Sequence, residues 1–181
     1  MPTREPLRGT KMKNFLLLAA TLLLATALNL NAKTIKYPEK DPSFSITLPD
    51  DWTAKPDKDG NLDCQAGDGS KFSFSIVPSK EVNTEADLKA FLPKLAQGMA
   101  DGAKIENTKV GEVGEMTNAK KVKLFGLNAN GATSGVDMVI SLAAFAPKKD
   151  TYFVIMAVEP SDVDKAHDKV MGDIINSITP L

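Results

Sequence analysis

Residues 136–158 read VDMVISLAAFAPKKDTYFVIMAV, and this stretch decides the fold. It contains two runs, 136–146 and 152–158, in which apolar residues occupy both odd and even positions. Because successive side chains of a strand point to opposite faces, such runs are typical of strands at the centre of a sheet that is covered on both sides. The connector PKKD at 147–150 is short, so we expect the two strands to pair antiparallel. The stretch therefore predicts a central β-hairpin between two covering layers.

Alternation of apolar and polar residues predicts further strands before this hairpin. The runs SFSITL at 43–48 and KFSFSI at 71–76 alternate in this way. Pro49 and Pro78 should end these two strands, because proline donates no hydrogen bond to a sheet. Residues 104–113 and 121–124 also have strand character, and the alternation slips at Phe125-Gly126, which predicts a β-bulge.

Two dipeptides predict tight hairpin turns. Asp59-Gly60 lies between the short runs 53–56 and 62–66, and Asn130-Gly131 lies before the central hairpin. Both dipeptides favour the positive backbone φ angles that two-residue hairpin turns require. We therefore expect strands to end at both positions.

Two segments have helical patterns. Thr84 is a helix-capping residue with Asp87 three positions later, which predicts a helix that begins there and ends near Gly102. Pro93 lies inside this pattern and should kink or split the helix. Ser161 should cap a second helix, whose apolar stripe is formed by Val163, His167, Val170, Met171, Ile174 and Ile178.

These elements predict an α+β fold, an antiparallel sheet of about seven strands with helices packed on it as a layered α/β/α sandwich. We expect residues 33–181 to form one such domain, because a chain of 181 residues has the length of a single domain.

The order of these elements resembles that of the PsbP-like superfamily. The resemblance is carried by FSITLPDDW at 44–52, the DGN turn at 59–61, KFSFSIV at 71–77 and DIINSI at 173–178. The superfamily includes the photosystem protein PsbP, a Ran-binding regulator and DcrB-type envelope proteins. Its members are mostly adaptors and accessory proteins, so the resemblance implies a protein that is not an enzyme. No binding residue of the family matches a position here.

The first 32 residues have the order of a secretory signal peptide. A basic start at Met12-Lys13 precedes the apolar run FLLLAATLLL at 15–24, and small residues follow. The run is shorter than the roughly 20 residues that a membrane span needs, so we expect cleavage and no stable span. Cleavage after Ala32 is our preference, with Ala27 as the alternative, and residues 1–11 would lie upstream of the true start. The mature protein would be periplasmic or secreted.

One loop has a weak likeness to a calcium site. Oxygen-bearing side chains recur at Asp57, Asp59, Asn61 and Asp63. An EF-hand loop needs glycine at the sixth position and glutamate at the twelfth, which are occupied here by Leu62 and Asp68. A hairpin turn at Asp59-Gly60 explains the same residues, so we expect no metal and keep these four side chains as the alternative.

Other candidate sites have simpler structural explanations. Asp50-Asp51-Trp52 follows a strand, and we expect a turn that returns Trp52 to the core rather than a pair of catalytic carboxylates. Cys64 and His167 are the only cysteine and the only histidine, and they could form a thiol–imidazole pair. An isolated cysteine is more often a small core residue. The nucleophile motif G-x-S-x-G is absent.

Composition narrows the classes of function. The net charge of −1 provides no basic surface for nucleic acid, and one cysteine allows no internal disulfide. Together with the signal-peptide pattern, the resemblance to the PsbP-like superfamily implies an exported, non-enzymatic accessory protein without a cofactor, whose partner is another envelope protein. A small-ligand or weak calcium-binding protein is the alternative, and a hydrolase that uses His167 is the third hypothesis.

Overall fold

The computed structural model describes residues 32–181, so residues 1–31 of the predicted signal peptide, with the alternative cleavage site at Ala27, lie outside the described residues. Two helices and eleven strands follow one another along this part of the chain. Their bounds are β1 (Ala32–Tyr37), β2 (Phe44–Pro49), β3 (Thr53–Pro56), β4 (Leu62–Gln65), β5 (Ser73–Ser79), α1 (Glu85–Gly102), β6 (Glu106–Val110), β7 (Gly114–Thr117), β8 (Lys123–Thr133), β9 (Val136–Lys148), β10 (Thr151–Pro160), α2 (Ser161–Ser177) and β11 (Thr179–Pro180).

The main sheet is antiparallel, and the predicted hairpin forms its centre. Its strand order is β3-β4-β5-β10-β9-β8-β6, and β7 also pairs with β8. Strands β9 and β10 pair over nearly their whole length, with Val154 opposite Ala144. The sheet has eight strands, one more than the sequence indicated, and a second sheet of three strands in the order β1-β2-β11 was not foreseen.

Alternate residues of β10 divide the core into two clusters. Tyr152 and Val154 belong to the cluster that α1 covers, together with its buried Leu88 and Leu92. Phe153 and Ile155 belong to the other cluster, which α2 and the small sheet cover. The α+β layered architecture is confirmed, with the small sheet sharing the second layer with α2.

Aromatic rings join the small sheet to the main one. The ring of Phe44 on β2 lies 5.1 Å from that of Phe145 and 5.0 Å from that of Phe153. Ile46 and Leu48 of the same strand are fully buried beside it. Their alternation with half-buried polar residues is the pattern from which the strand was predicted.

The two helices begin in different ways. The Thr84 hydroxyl oxygen accepts a hydrogen bond from the Asp87 backbone N–H at 3.1 Å, as the sequence predicted. Pro93 lies inside α1 without splitting it. The prediction that Ser161 caps α2 is wrong, because Pro160 occupies the cap position and no side chain caps this helix with a hydrogen bond.

Three predictions in the strands are also wrong. Asn130-Gly131 lies inside β8, and the chain reverses at Ser134-Gly135, where φ is 50° and 80°. The pairing of β8 with β9 continues without a register shift through Phe125-Gly126, so no bulge occurs there. Pro78 does not end β5, because it remains paired opposite Phe153.

Candidate functional site

His167 lies buried between α2 and the main sheet. Its ring stacks on that of Phe72 at 4.4 Å with an angle of 12° between the planes. The ring of Trp52 meets it edge-on at 6.3 Å. His167 Nδ1 lies 2.8 Å from the backbone oxygen of Val163, one helical turn earlier. The stripe position predicted for His167 is thus confirmed, since its exposed fraction is only 5%.

The other ring nitrogen of His167 faces the loop between β4 and β5. Nε2 lies 2.9 Å from Asp68 Oδ2 and 3.2 Å from Ser70 Oγ. Asp68 Oδ1 accepts the backbone N–H of Ser70 at 2.9 Å. Hydrogen bonds from Ser70, from its side chain and then its backbone, and from His167 lower the pKa of Asp68 to about 2.

These serine, histidine and aspartate side chains do not form a catalytic triad. In a triad the hydroxyl meets one ring nitrogen and the carboxylate the other, so that the base is oriented while it accepts a proton. Here Ser70 and Asp68 both face Nε2 of His167, and Nδ1 faces a backbone oxygen. The Ser70 oxygen also accepts the N–H of Phe72 at 3.1 Å. The cluster therefore has a geometry for packing and loop attachment.

Cys64 and His167 do not form the hydrogen-bonded pair that a nucleophilic thiol would need. Cys64 is 1% exposed, and burial, with a smaller contribution from Asp63, raises the pKa of its thiol to about 12. The thiolate is the reactive form of cysteine, so this side chain stays unreactive at neutral pH. The ring nitrogens of His167 are engaged by Val163, Asp68 and Ser70 instead.

Two acidic side chains near His167 were not singled out from the sequence. Glu159 is 8% exposed, and its Oε1 accepts the backbone N–H of Ser73 at 2.9 Å. Asp164 accepts the hydroxyl of Ser141 at 3.2 Å. Burial raises the pKa of both carboxyl groups, against the opposing effect of these hydrogen bonds. The alternation of buried residues along β10 would have predicted a buried position for Glu159. No local pattern in the sequence connects Glu159 with His167.

The loop that was kept as an alternative calcium site is a hairpin turn, in which the Asp57 side chain accepts hydrogen bonds from its own turn. Asp57 Oδ1 accepts the N–H groups of Asp59 and Asn61 at 2.8 and 2.9 Å, and Oδ2 accepts the Asn61 side-chain amide at 2.8 Å. The hydrogen bond from the Asn61 backbone is the largest cause that lowers the pKa of Asp57. Asp63 accepts the hydroxyl of Ser75 at 2.6 Å. Among residues 32–181, no three His, Cys, Asp or Glu side chains are grouped as metal ligands would be.

Asp50 and Asp51 are the exposed corner of a turn. The Trp52 N–H donates to the Pro49 oxygen at 3.1 Å, which closes the turn. The Trp52 ring then lies 5.8 Å from the rings of both Phe72 and Phe74 and is 4% exposed. The predicted return of Trp52 to the core is confirmed.

The α1 side of the main sheet carries an open groove. Helix α1 packs on β6, β8 and β9, and a space of about 470 Å³ remains beside it over β5 and β10. Its lining is largely apolar and consists of Val77, Pro78, Phe91, Leu95, Val154 and Met156, with the polar residues Ser79 and Asn61. The charged residues Asp59, Lys80 and Glu81 are exposed at its rim. Phe91 and Leu95, which fall at helical spacing in the sequence, are half-buried in the wall of this groove.

Ser79 has an unusual position in the wall of this groove. Its hydroxyl oxygen is buried and, among the described residues, is the one buried side-chain oxygen or nitrogen without a hydrogen-bond partner. A buried hydroxyl without a partner lowers stability, because it has lost its hydrogen bonds to water. The groove thus combines an apolar wall with an unsatisfied polar atom beneath its surface.

Comparison with solved structures identifies the fold. The solution structure of the cyanobacterial PsbP, CyanoP, from Synechocystis sp. PCC 6803 matches 87% of this chain and 96% of its own with a TM-score of 0.64 and 9% identity. The chain has a PsbP-like fold. LpqN of Mycobacterium tuberculosis, described as involved in cell envelope biogenesis, matches 83% of this chain and 91% of its own with a TM-score of 0.57 and 14% identity.

Sequence comparison adds nothing to this likeness. No protein-family description and no curated protein matches the chain. At such low identity, the shared PsbP-like fold does not transfer any function. None of the helices within residues 32–181 combines the length and apolar character that crossing a membrane requires.

Proposed function

We propose that this PsbP-like chain is an exported accessory protein of the cell envelope, which binds another protein and catalyses no reaction. The groove beside α1 is the observation that carries the proposal. Protein interfaces combine an apolar centre with a polar rim, and the groove has both. Leu95 and Met156 supply apolar surface, and Lys80 and Glu81 supply charges of both signs at the rim.

The side chains with potential for catalysis support a binding role. His167 holds a loop, Ser70 accepts a backbone N–H, and Cys64 is a buried thiol. None of them faces the groove beside α1. An enzyme needs its reactive groups and a substrate cavity in the same place, and these three side chains lie apart from the groove.

The cellular setting is proposed from the sequence and from the relatives. The pattern of residues 12–32 is typical of a signal peptide, and LpqN, which shares the fold, is described as acting in cell envelope biogenesis. Fractionation of cells that produce the full chain should find a shortened protein outside the cytoplasm, beginning near Lys33. A full-length cytoplasmic protein would contradict export.

Site-specific photo-crosslinking tests the binding proposal. A benzophenone amino acid at Leu95, in the wall of the groove, should give one discrete adduct with an envelope protein in living cells. The same amino acid at Lys169, which is exposed on α2, is the matched control and should give none. Adducts from Lys169 alone would place the interface elsewhere, and the absence of adducts from both positions would contradict the proposal.

A small ligand is the second candidate, because the groove volume lies within the range of about 300–1,000 Å³ found for small-molecule sites. Native mass spectrometry of the purified protein separates the two candidates. A bound small mass that is lost in a Leu95→Arg variant would favour the ligand. Ester hydrolysis that is lost in His167→Ala would instead favour the hydrolase hypothesis.

A further inference from the structure

Three groups meet the two ring nitrogens of His167, and they impose a condition on its charge. Nδ1 faces the Val163 oxygen at 2.8 Å, and Nε2 faces Asp68 Oδ2 at 2.9 Å. A carbonyl oxygen and an ionised carboxylate can only accept hydrogen bonds. A neutral imidazole carries one N–H, so one of its nitrogens would face an acceptor with a lone pair. Only the imidazolium, with an N–H on each nitrogen, satisfies both oxygens.

Ser70 supplies a partner for the neutral ring. Its Oγ lies 3.2 Å from Nε2, and this oxygen already accepts the N–H of Phe72 at 3.1 Å. The hydroxyl has one proton, which bonds to Asp68 while the ring is charged and can turn to Nε2 when that nitrogen carries a lone pair. Each charge state of His167 thus has its own partner on the same loop.

We propose that His167 is a proton-operated latch between α2 and the loop that joins β4 to β5. Protonated, His167 donates from Nε2 to Asp68 and holds the loop on the helix. Neutral, it accepts from Ser70 at the same nitrogen, and Asp68 is released toward solvent.

Only the tip of the loop between β4 and β5 is free to respond to the charge of His167. The Ala66 N–H donates to the Phe72 oxygen at 2.9 Å and closes the base of the loop. A Cβ added to Gly67 would collide with the backbone oxygen of Asp51, so this glycine is packed against the neighbouring turn. Beyond these contacts, the positive φ of 82° at Gly69 is accessible to glycine without strain. Residues 68–71 are therefore the part that the latch controls.

The charges around the latch favour the protonated state. Burial lowers the pKa of His167, but the hydrogen bonds to Val163 and Asp68 and the charges of Asp68 and Glu159 outweigh it and raise the pKa. The ionisable groups on the surrounding elements are mostly acidic: Asp68 and Lys71 on the loop, Glu159 on β10, Asp164, Lys165 and Asp168 on α2, and Asp50 and Asp51 on the turn before Trp52.

Nitrogen NMR of the imidazole tests the latch, because His167 is the only histidine of the chain. In acid both ring nitrogens should carry protons, and at higher pH Nδ1 should keep its proton while Nε2 loses it. Asp68→Asn removes the partner of the charged ring and should lower the pKa of His167. Ser70→Ala removes the partner of the neutral ring and should raise it, while Ser70→Thr, which keeps the hydroxyl, should leave it unchanged.

The backbone amide of Gly69 reports the release of the loop. Its chemical shift should titrate together with His167 in the native chain and lose that step in Asp68→Asn. Asp162→Asn removes an exposed acid of α2 that makes no contact with the ring and is the matched control, expected to leave both titrations unchanged. Changes of the same direction in Asp68→Asn and Ser70→Ala, a changed pKa of His167 in Ser70→Thr, a Gly69 shift independent of His167, or a neutral ring protonated at Nε2 would each overturn the latch. If Ser70→Ala does not fold, the other two variants still decide.

Discussion

The two faces of the main sheet receive alternate residues of the same strands but differ in how completely they are covered. On one face, α2 and the small sheet enclose Phe153 and the aromatic group around Trp52. On the other face, α1 covers β8 and β9 and leaves the groove over β5 and β10. Strands with apolar residues on both faces thus indicate that each face is covered, but not how far the cover extends.

The polar groups of the two faces differ in the same way. Around His167, each of the buried polar groups has a partner: Val163, Asp68 and Ser70 for the ring, and Ser73 for Glu159. Beside the groove, the buried Ser79 hydroxyl has none among the described residues. The first face is covered and its buried polar groups are paired, whereas the second leaves apolar surface uncovered. The following experiments test that distinction.

We call the face that α2 and the small sheet cover the closed face, and the face that carries the groove the open face. Removal of the Trp52 side chain from the closed face should have the largest effect on stability. Trp52→Ala should lower the free energy of unfolding by about 3–5 kcal/mol, because it leaves a cavity between Phe72 and Phe74. The half-buried Phe91 in the groove wall is the matched position on the open face, and Phe91→Ala should cost much less. Urea unfolding of both variants measures the difference. Equal losses would mean that the groove is closed in solution.

The pH dependence of stability should come from the closed face. His167 has a raised pKa in the folded protein, so its contribution to stability is complete below about 6.5, the pKa in an unfolded chain. That contribution is lost as the pH rises through the folded pKa. The raised pKa values of Glu159 and Asp164 act in the same direction at lower pH. The free energy of unfolding should therefore fall as the pH rises above 6.5.

His167→Gln checks the origin of this slope. Glutamine does not titrate, so the decrease above pH 6.5 should become smaller, although the variant is less stable throughout. Lys169→Gln on the exposed side of α2 is the control and should keep the native slope. A slope that is the same in all three proteins would show that His167 is not the group responsible.

The sequence was sufficient for features that depend on neighbouring residues. The central hairpin followed from its two-sided apolar runs, the start of α1 from Thr84, and the burial of Trp52 from the turn after Pro49. The hairpin turn predicted at Asn130-Gly131 was wrong, because this glycine meets a packing requirement and not that of a turn. A Cβ at Gly131 would lie 2.7 Å from the Glu106 oxygen, so glycine is required by the close approach of the first residue of β6. That approach is a long-range contact, which a dipeptide does not reveal.

The candidate sites were predictable to a smaller extent for the same reason. The helical stripe placed His167 in the interior, but its partners Asp68 and Ser70 lie 99 and 97 residues earlier in the chain. The groove escaped prediction because the helical spacing of Phe91 and Leu95 is the same whether the stripe is covered or left open. Likewise, β1 joins the small sheet through its pairing with β2, although its own burial pattern is weak.

A smaller effect on stability is expected from Ser79, whose buried hydroxyl lies on the open face. Ser79→Ala should leave the free energy of unfolding unchanged or raise it by up to about 1 kcal/mol, because it removes a buried polar atom that makes no hydrogen bond. The comparison is Ser70→Ala on the closed face, which removes contacts to His167 and Phe72 and should lower stability. Thermal unfolding of both variants gives the measurement. A clear loss in Ser79→Ala would show that its hydroxyl has a partner in solution.

The smallest effect is expected at the hairpin turn beside the groove, where the calcium hypothesis is tested. The Asp57 carboxylate is occupied by its own turn, so we expect millimolar calcium to leave the melting temperature unchanged. Calcium at a hundred times its dissociation constant would instead add about 2.7 kcal/mol to the free energy of unfolding, a shift of several degrees for a protein of this size.

Asp59→Asn should be nearly neutral, because the variant keeps the backbone N–H of residue 59, which donates to Asp57. Asp57→Ala is the contrasting variant and should lower the melting temperature, because it removes the acceptor of three hydrogen bonds. A calcium-induced rise in the native protein that Asp59→Asn abolishes would establish an ion site at the rim of the groove and favour the ligand-binding function over the accessory one.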